Sequence, residues 1–387
     1  MRLGKLRLFA VLGVFGLFLS LIGCRREPPL HLYWEKTEFE FPIVELDLEV
    51  YWDYELALGI NYDWRAEWYY GWDDEDRRLF GEIGYTEPTA FNIRLYHTGD
   101  EAYGKHSRPT SVYMIGRKLR REFDWGFWDI LAWNDVHTLD GVQSLIFDEE
   151  TTYDYVTART SQTMNSAPYH APRYNNSFYE PEQLFSAYEQ AIDINPNLEG
   201  FVYDEEENIW VRRLHMLLEP ITYIYLPQVI LHHNNGRIAA VQGSANLSGM
   251  ARSTNLNTGV TGMDAIAVYF NMRMKNDMYK GSEKVDIVGG RLMTFGMCGL
   301  NANRISRGVE LNDGQRHYLD VTMQFNNGMD STFVFDVTDQ VRQRYKGGVL
   351  TVELDMDTVP IPKRSGGSGF NAVVKDWEYV DVPVIEM

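Results

Sequence analysis

Val44-Glu45-Leu46-Asp47-Leu48-Glu49-Val50-Tyr51-Trp52 carries an apolar residue at every even position, with Glu45, Asp47 and Glu49 between them. Successive side chains of a strand point to opposite faces, so a period of two describes a strand with one face buried. The same alternation recurs in Phe91-Asn92-Ile93-Arg94-Leu95, Trp210 to Leu218, Ala265 to Met274, Thr332 to Val337 and Val349 to Leu354. Between these stretches lie His233-Asn234-Asn235-Gly236, Asn326-Asn327-Gly328 and Lys346-Gly347-Gly348, which are turn-forming clusters. Many short strands with frequent turns predict an all-β protein of sandwich or barrel type. One segment reads differently: Pro181 to Ile192 has Pro in the first turn and Leu184, Ala187, Tyr188 and Ala191 on one helical face. It predicts a short helical insertion, preceded by a long polar loop over Thr160 to Asn176. The acidic run Tyr203-Asp204-Glu205-Glu206-Glu207-Asn208 marks a boundary, because strand patterning resumes at Trp210. Two domains follow, 41–205 and 206–387.

The N-terminus has its own layout. Arg2, Lys5 and Arg7 precede an almost wholly apolar run from Leu8 to Ile22, which ends in Leu21-Ile22-Gly23-Cys24. That run falls short of the roughly 20 residues a spanning helix needs, and it leads to Arg25, Arg26 and two prolines. The pattern resembles a bacterial lipoprotein signal. The resemblance implies cleavage between Gly23 and Cys24, with residues 1–23 removed and acyl chains placed on Cys24. Residues 24–40 then form a linker to a membrane. At about 0.8 kcal/mol per buried methylene, several long chains make such an anchor effectively permanent.

The chain has only two cysteines. With Cys24 carrying lipid, no intrachain disulfide can form, so stability rests on a hydrophobic core. Cys298, in Phe295-Gly296-Met297-Cys298-Gly299, reads as a buried, inert thiol. The formal net charge is -19, and loss of the signal, with three bases and no acid, makes the chain more acidic still. Such a chain repels nucleic acid and anionic lipid head groups.

Catalytic patterns are missing. Gly366-Gly367-Ser368-Gly369-Phe370 fails the nucleophile elbow at its last position. The neighbours His232 and His233 would point to opposite faces of a strand, which makes a shared metal-ligand role improbable. Asp193-Ile194-Asn195-Pro196-Asn197-Leu198 spaces oxygens like a calcium loop, but Leu198 stands where the sharp turn needs Gly, so it reads as a capped helix end. The run Asp73-Asp74-Glu75-Asp76 reads as a solvated face. Neither cofactor nor metal is expected. Eight of the ten Trp residues lie within the first 133 positions, and Trp64, Trp68 and Trp72 cluster with Tyr69 and Tyr70. Such rings either fill a core or stack on sugars.

A wider likeness rests on framework patterns. They are Pro88 to Tyr96, Trp128 to Asp135, Leu218-Glu219-Pro220, Gly243 to Ala251, Thr294-Phe295-Gly296, Phe335 to Val341, and Gly367 to Phe370 with Val373, Val374 and Trp377. On these the chain resembles the fimbrillin-like lipoproteins of the Bacteroidales, close to the fimbrial anchor subunits and a lipoprotein family of unknown function beside them. The resemblance covers most of the chain beyond the signal and implies two tandem transthyretin-like β-sandwich domains. In that family, fibre-forming subunits are cut after an arginine in their first strand, and a neighbour's strand fills the groove. Anchor subunits keep lipid and first strand. Here Arg25 and Arg26 precede Val44 to Trp52, which favours an anchor or accessory role. The segment Val380 to Ile385 either closes the sandwich or is exchanged.

The expectation is therefore a non-enzymatic lipoprotein of the outer membrane, at the cell surface in preference to the periplasmic face, and with fimbrial subunits as partners. The alternative is a surface glycan-binding lipoprotein using Trp64, Trp68 and Trp72.

Overall fold

Alternation makes Ile43–Val50 a strand, β1, which buries Val44, Leu46, Leu48 and Val50. The computed structural model describes residues 42–50, 64–99, 109–136, 144–149, 156–161, 177–301 and 312–362, all within one compact unit that begins at Pro42. Cys24, Gly23, most of the predicted 160–176 loop and the Val380 to Ile385 segment lie outside the described residues.

After β1 come β2 (Ala90–Gly99), β3 (Thr110–Ile115), β4 (Lys118–Glu122), β5 (Gly126–Asn134), β6 (Leu145–Glu149), β7 (Val156–Thr160), β8 (Ser177–Tyr179), β9 (Phe185–Ile194), β10 (Val202–Asp204) and β11 (Ile209–Pro220). Next are β12 (Tyr223–His232), β13 (Ile238–Ala251), β14 (Ser253–Asn255), β15 (Ala265–Phe270), β16 (Met272–Lys280), β17 (Glu283–Gly290) and β18 (Leu292–Thr294). Last are β19 (Tyr318–Phe325), β20 (Asp330–Asp336) and β21 (Gly348–Asp355). The described helices are short: α1 (Trp64–Glu67), α2 (Asp74–Phe80) and α3 (Thr338–Gln343). The chain is all-β, as the alternation requires.

One sheet of eight strands runs β3-β2-β5-β9-β11-β1-β4, with β10 also on β11. A second, of five strands, is built around β12, which is antiparallel to β17 and β18 and parallel to β21. A third runs β20-β19-β13-β15-β8, and a small one runs β14-β7-β6.

Strand β12 is buried at every position except its last, His232. Its even residues Ile224, Leu226 and Ile230 join a core with Leu46, Phe91, Ile130 and Leu218 of the eight-stranded sheet. The odd residues Tyr223, Tyr225, Val229 and Leu231 join another with Leu247, Val268, Val321 and Phe335 of the third sheet. The β12 sheet is therefore the middle layer, covered on both faces. Apolar residues on both faces erase the alternation that marks a half-exposed strand.

Two expectations are corrected. The helix predicted over Pro181 to Ile192 is instead strand β9, paired with β5. Between the pairs Trp128↔Ile192 and Ile130↔Glu189, Asp129 faces both Gln190 and Ala191, a β-bulge with Ala191 at a φ of +55°. The Ala191 backbone N–H donates to Asp129 Oδ1 at 2.7 Å, and the Tyr188 hydroxyl donates to Oδ2 at 2.9 Å. Leu184, Ala187 and Tyr188 are spaced three and four apart ahead of the bulge, and Ala191 at the bulge continues that spacing, which imitates a helix. The supposed capped helix end after it is likewise a turn, in which Asn195 Oδ1 accepts from the Asn197 N–H at 3.0 Å.

Residue 205 falls in the turn between β10 and β11, both strands of the eight-stranded sheet. Strands β7 and β8, from the first half, pair with β14 and β15 from the second.

Gly289 on β17 is where the middle layer admits Tyr70. A Cβ there would lie 2.4 Å from Tyr70 Cγ. Replacing Gly289 with Ala forces the ring and its backbone to move, and the expected loss is about 1–3 kcal/mol. Urea unfolding measures it, and an unchanged midpoint would show that this contact does not constrain the fold.

Candidate functional site

Strand β1 sits between two others. It is parallel to β11, from Ile43↔Val211 to Val50↔Leu218, and antiparallel to β4, from Ile43↔Glu122 to Asp47↔Lys118. Its four buried side chains enter the core with Phe123, Met216 and Leu218, and Leu119 and Leu214 flank it partly buried. Taking β1 out would unpair the backbones of both neighbours and empty four apolar positions. It is thus the occupant of a slot, supplied by the first described residues of the chain.

The two edges of this sheet differ. On β4, Lys118, Arg120 and Glu122 are exposed, and charged side chains discourage another strand from pairing. On β3, Thr-Ser-Val-Tyr-Met-Ile carries no charge, and Tyr113 and Ile115 are 52% and 81% exposed. Among the described residues β3 pairs only with β2, so one edge is guarded and the other is not.

A buried charge cluster fastens residues 64–80 to the middle layer. Gln228 of β12 is fully buried, and its Oε1 accepts from the backbone N–H groups of Tyr69 at 3.0 Å and Tyr70 at 3.2 Å. Its Nε2 donates to the Glu67 carbonyl at 2.6 Å and to Thr351 Oγ1 at 2.9 Å. The Tyr70 hydroxyl donates to Asp76 Oδ1 at 2.6 Å. Asp76 is 0% exposed and also accepts from Arg273 Nη1, at 2.9 Å, and from Lys275 Nζ, both on β16. Burial, and then the Asp76 carboxylate, push the Tyr70 hydroxyl well above its usual range.

Asp73 caps α2 in a reciprocal box with Asp76. Burial would raise its carboxyl, but hydrogen bonds from the Asp76 N–H, Lys275 and Arg273 outweigh this and hold it well below the usual range. Within the acidic run read as a solvated face, Asp73, Asp74 and Glu75 are exposed, while Asp76 is buried and belongs to the lock. The capping pattern of acids three apart, next to aromatic residues, was the signal for it.

Trp64 and Trp68 are buried in the core of the eight-stranded sheet, and Trp72 is partly buried with its ring 5.8 Å from Phe80. Two of the three candidate sugar-stacking rings thus present no open face. A cleft of about 760 Å³, lined by Tyr179, Glu180, Tyr269 and Arg291 among others, contains no Trp. Cys298 is buried, and burial pushes its thiol up to about 12, as an inert thiol requires. His232 and His233 do not share a ligand position: His232 Nε2 lies 2.8 Å from Glu353, while His233 Nδ1 lies 3.0 Å from Asp355.

No family model matches the sequence, and no curated protein does. Solved structures give matches of low similarity. A candidate adhesin from Bacteroides ovatus ATCC 8483 aligns over 84% of this chain and 95% of its own, with 13% identity and a TM-score of 0.48. A second candidate adhesin, from Bacteroides thetaiotaomicron VPI-5482, aligns over 82% and 93%, with 10% identity and a TM-score of 0.43. The fimbrial anchor protein Mfa2 from Porphyromonas gingivalis aligns over 81% and 90%, with 10% identity and a TM-score of 0.34. Likeness at this level assigns no activity to the chain.

Two outcomes are expected at the lock. Asp76→Asn removes the buried anion of the lock while Asp73 and Glu75 still face Lys275 and Arg273, and the expected cost is about 1–3 kcal/mol in urea unfolding. The Asp73 carboxyl is depressed in the folded state, so its contribution is present above the ordinary carboxylate value and is lost as pH falls below about 4. Asp73→Asn should therefore flatten the fall of the urea midpoint between pH 6 and pH 3, and an unaltered slope would remove Asp73 from the account.

Proposed function

We propose that this chain is a non-enzymatic, lipid-anchored protein of the cell envelope, acting as an anchor or accessory subunit of a surface fibre through strand-to-strand contacts. The observation that carries the reading is β1, which already fills the slot between β4 and β11. A subunit whose own first strand closes its slot has no place there for a neighbour's strand, and it can terminate a fibre at a membrane. The uncharged β3 edge offers backbone donors and acceptors for an incoming strand, the geometry of β-augmentation.

Cys24 supports the anchoring half. The seventeen residues from Cys24 to Glu40 extend to at most about 60 Å, which keeps the folded body close to the lipid. Two transthyretin-like sandwich domains belong to the same proposal, with the division placed near residue 205, where the β10–β11 hairpin leads towards β12. The outer membrane is the proposed site. Burial of Trp64 and Trp68 weighs against sugar stacking as the main role.

Each half has its own test. Cys24→Ala should move the protein from the membrane to the soluble fraction, and an unchanged membrane-bound form would end the lipid assignment. Leu46→Asp places a charge at a fully buried position and should loosen β1, so that the variant captures a labelled peptide of sequence Ile43–Val50 that the unaltered chain ignores. Equal capture by both chains would sink the closed-slot reading. Deletion of the protein should alter the number, length or attachment of surface fibres.

A further inference from the structure

The end of the middle layer gathers a second set of charged groups, on the strand whose two faces hold the cores. Strand β12 ends at His232, and its parallel partner β21 ends opposite it at Asp355. His233 then takes a φ of +51°, a left-handed backbone. Its Nδ1 lies 3.0 Å from Asp355 Oδ1 and 3.8 Å from Asp357 Oδ2. One donor atom each from His233, Asp355 and Asp357 lies within 4.8 Å of the others. We propose that these three side chains form a binding site for a divalent transition-metal ion of zinc's class, with the remaining coordination positions open to solvent.

The spacing fits such an ion. Zinc bonds to imidazole nitrogen and carboxylate oxygen are about 2.0–2.2 Å, which sets tetrahedral donors roughly 3.3–3.6 Å apart. The separations of His233 Nδ1 from Asp355 Oδ1, 3.0 Å, and from Asp357 Oδ2, 3.8 Å, each lie within about 0.3 Å of that range. Imidazole among the donors selects a transition metal over calcium, which takes oxygen ligands.

The carboxylates are oriented from outside the triad. Arg237 donates through Nη1 to the Met356 carbonyl and through Nη2 to the Val359 carbonyl at 2.6 Å, which fixes the loop that carries Asp357. Its guanidinium lies 3.7 Å from Asp357 Oδ1, while Oδ2 faces the imidazole, so an outer partner divides the carboxylate's two oxygens. The Met356 N–H donates to the His232 carbonyl at 3.0 Å and ties the loop to β12.

Charge agrees with geometry. Glu283 and Glu353 bracket His232 at 2.7 and 2.8 Å, so its two ring nitrogens are taken and His233 supplies the imidazole donor. His232, with a carboxylate accepting at each ring nitrogen, donates from both and is cationic, so Glu283, Glu353, Asp355 and Asp357 face Lys280, Arg237 and this imidazolium, and one negative charge is left unmatched for a cation to meet.

Titration calorimetry of the full-length chain, stripped with chelator and then given zinc chloride, tests the site. One equivalent should bind with a dissociation constant in the micromolar range. His233→Ala should weaken it by about tenfold or more. His215→Ala, on β11 with its ring 3.0 Å from Glu49, should leave it unchanged. Circular dichroism confirms that each variant folds, and Asp357→Asn provides a second arm that spares the histidine. Absence of binding in the unaltered chain, or binding that survives both His233→Ala and Asp357→Asn, overturns the proposal.

Discussion

Burial of β12 on both faces is the constraint on which the rest of the molecule depends. A strand with water on neither side must find apolar cover twice, and its even and odd residues do so in different cores. Its one amide side chain, Gln228, is satisfied completely. The amide accepts two hydrogen bonds and donates two, which uses its oxygen lone pairs and both of its N–H groups. Three of those partners are backbone groups of residues 67–70, so satisfying one buried amide also fixes where the segment carrying α1 lies. The Asp76 cluster then closes onto β16 of the same sheet. Charges buried to this degree are tolerated only because each is paired and hydrogen-bonded.

That arrangement makes β1 consequential. The strand contributes to the core that the even residues of β12 complete, and it pairs through its backbone on both sides. A slot with two hydrogen-bonding walls and an apolar floor has one geometry of occupant, an extended segment with alternate apolar side chains. The chain supplies that segment itself. Among the described residues, the charged β4 and the uncharged β3 end the sheet, and charge discourages strand addition at β4 but not at β3.

Legibility followed solvent. β1 and β21 were readable because one face of each meets water or polar surroundings, where Glu45, Asp47, Glu49, Thr351, Glu353 and Asp355 spell out the period of two; β2 was readable from Asn92 and Arg94, although Arg94 is buried. β9 was misread because Leu184, Ala187, Tyr188 and Ala191 fall three and four apart, and the bulge at Ala191 interrupts the alternation that would have marked a strand. Asp76, the buried end of the acidic run, was misread for a different reason. Its partners, Arg273 and Lys275, lie about 200 residues away along the chain, and no local pattern reports a contact at that separation. The aromatic cluster allowed two readings, and burial chose packing for Trp64 and Trp68, since the same rings serve a core or a sugar equally well as sequence.

By itself the sequence determined the strand-rich class, the acidic character and the identity of β1, because these depend on residue types and their local spacing. Tertiary structure alone decided that a single strand is shared by two cores, that β1 lies between β4 and β11, and that His233 meets Asp355 and Asp357. Each of these is a long-range pairing. Local spacing fixes which face of a strand is apolar, while which partner covers that face is settled by the register and layering of strands far apart in the chain.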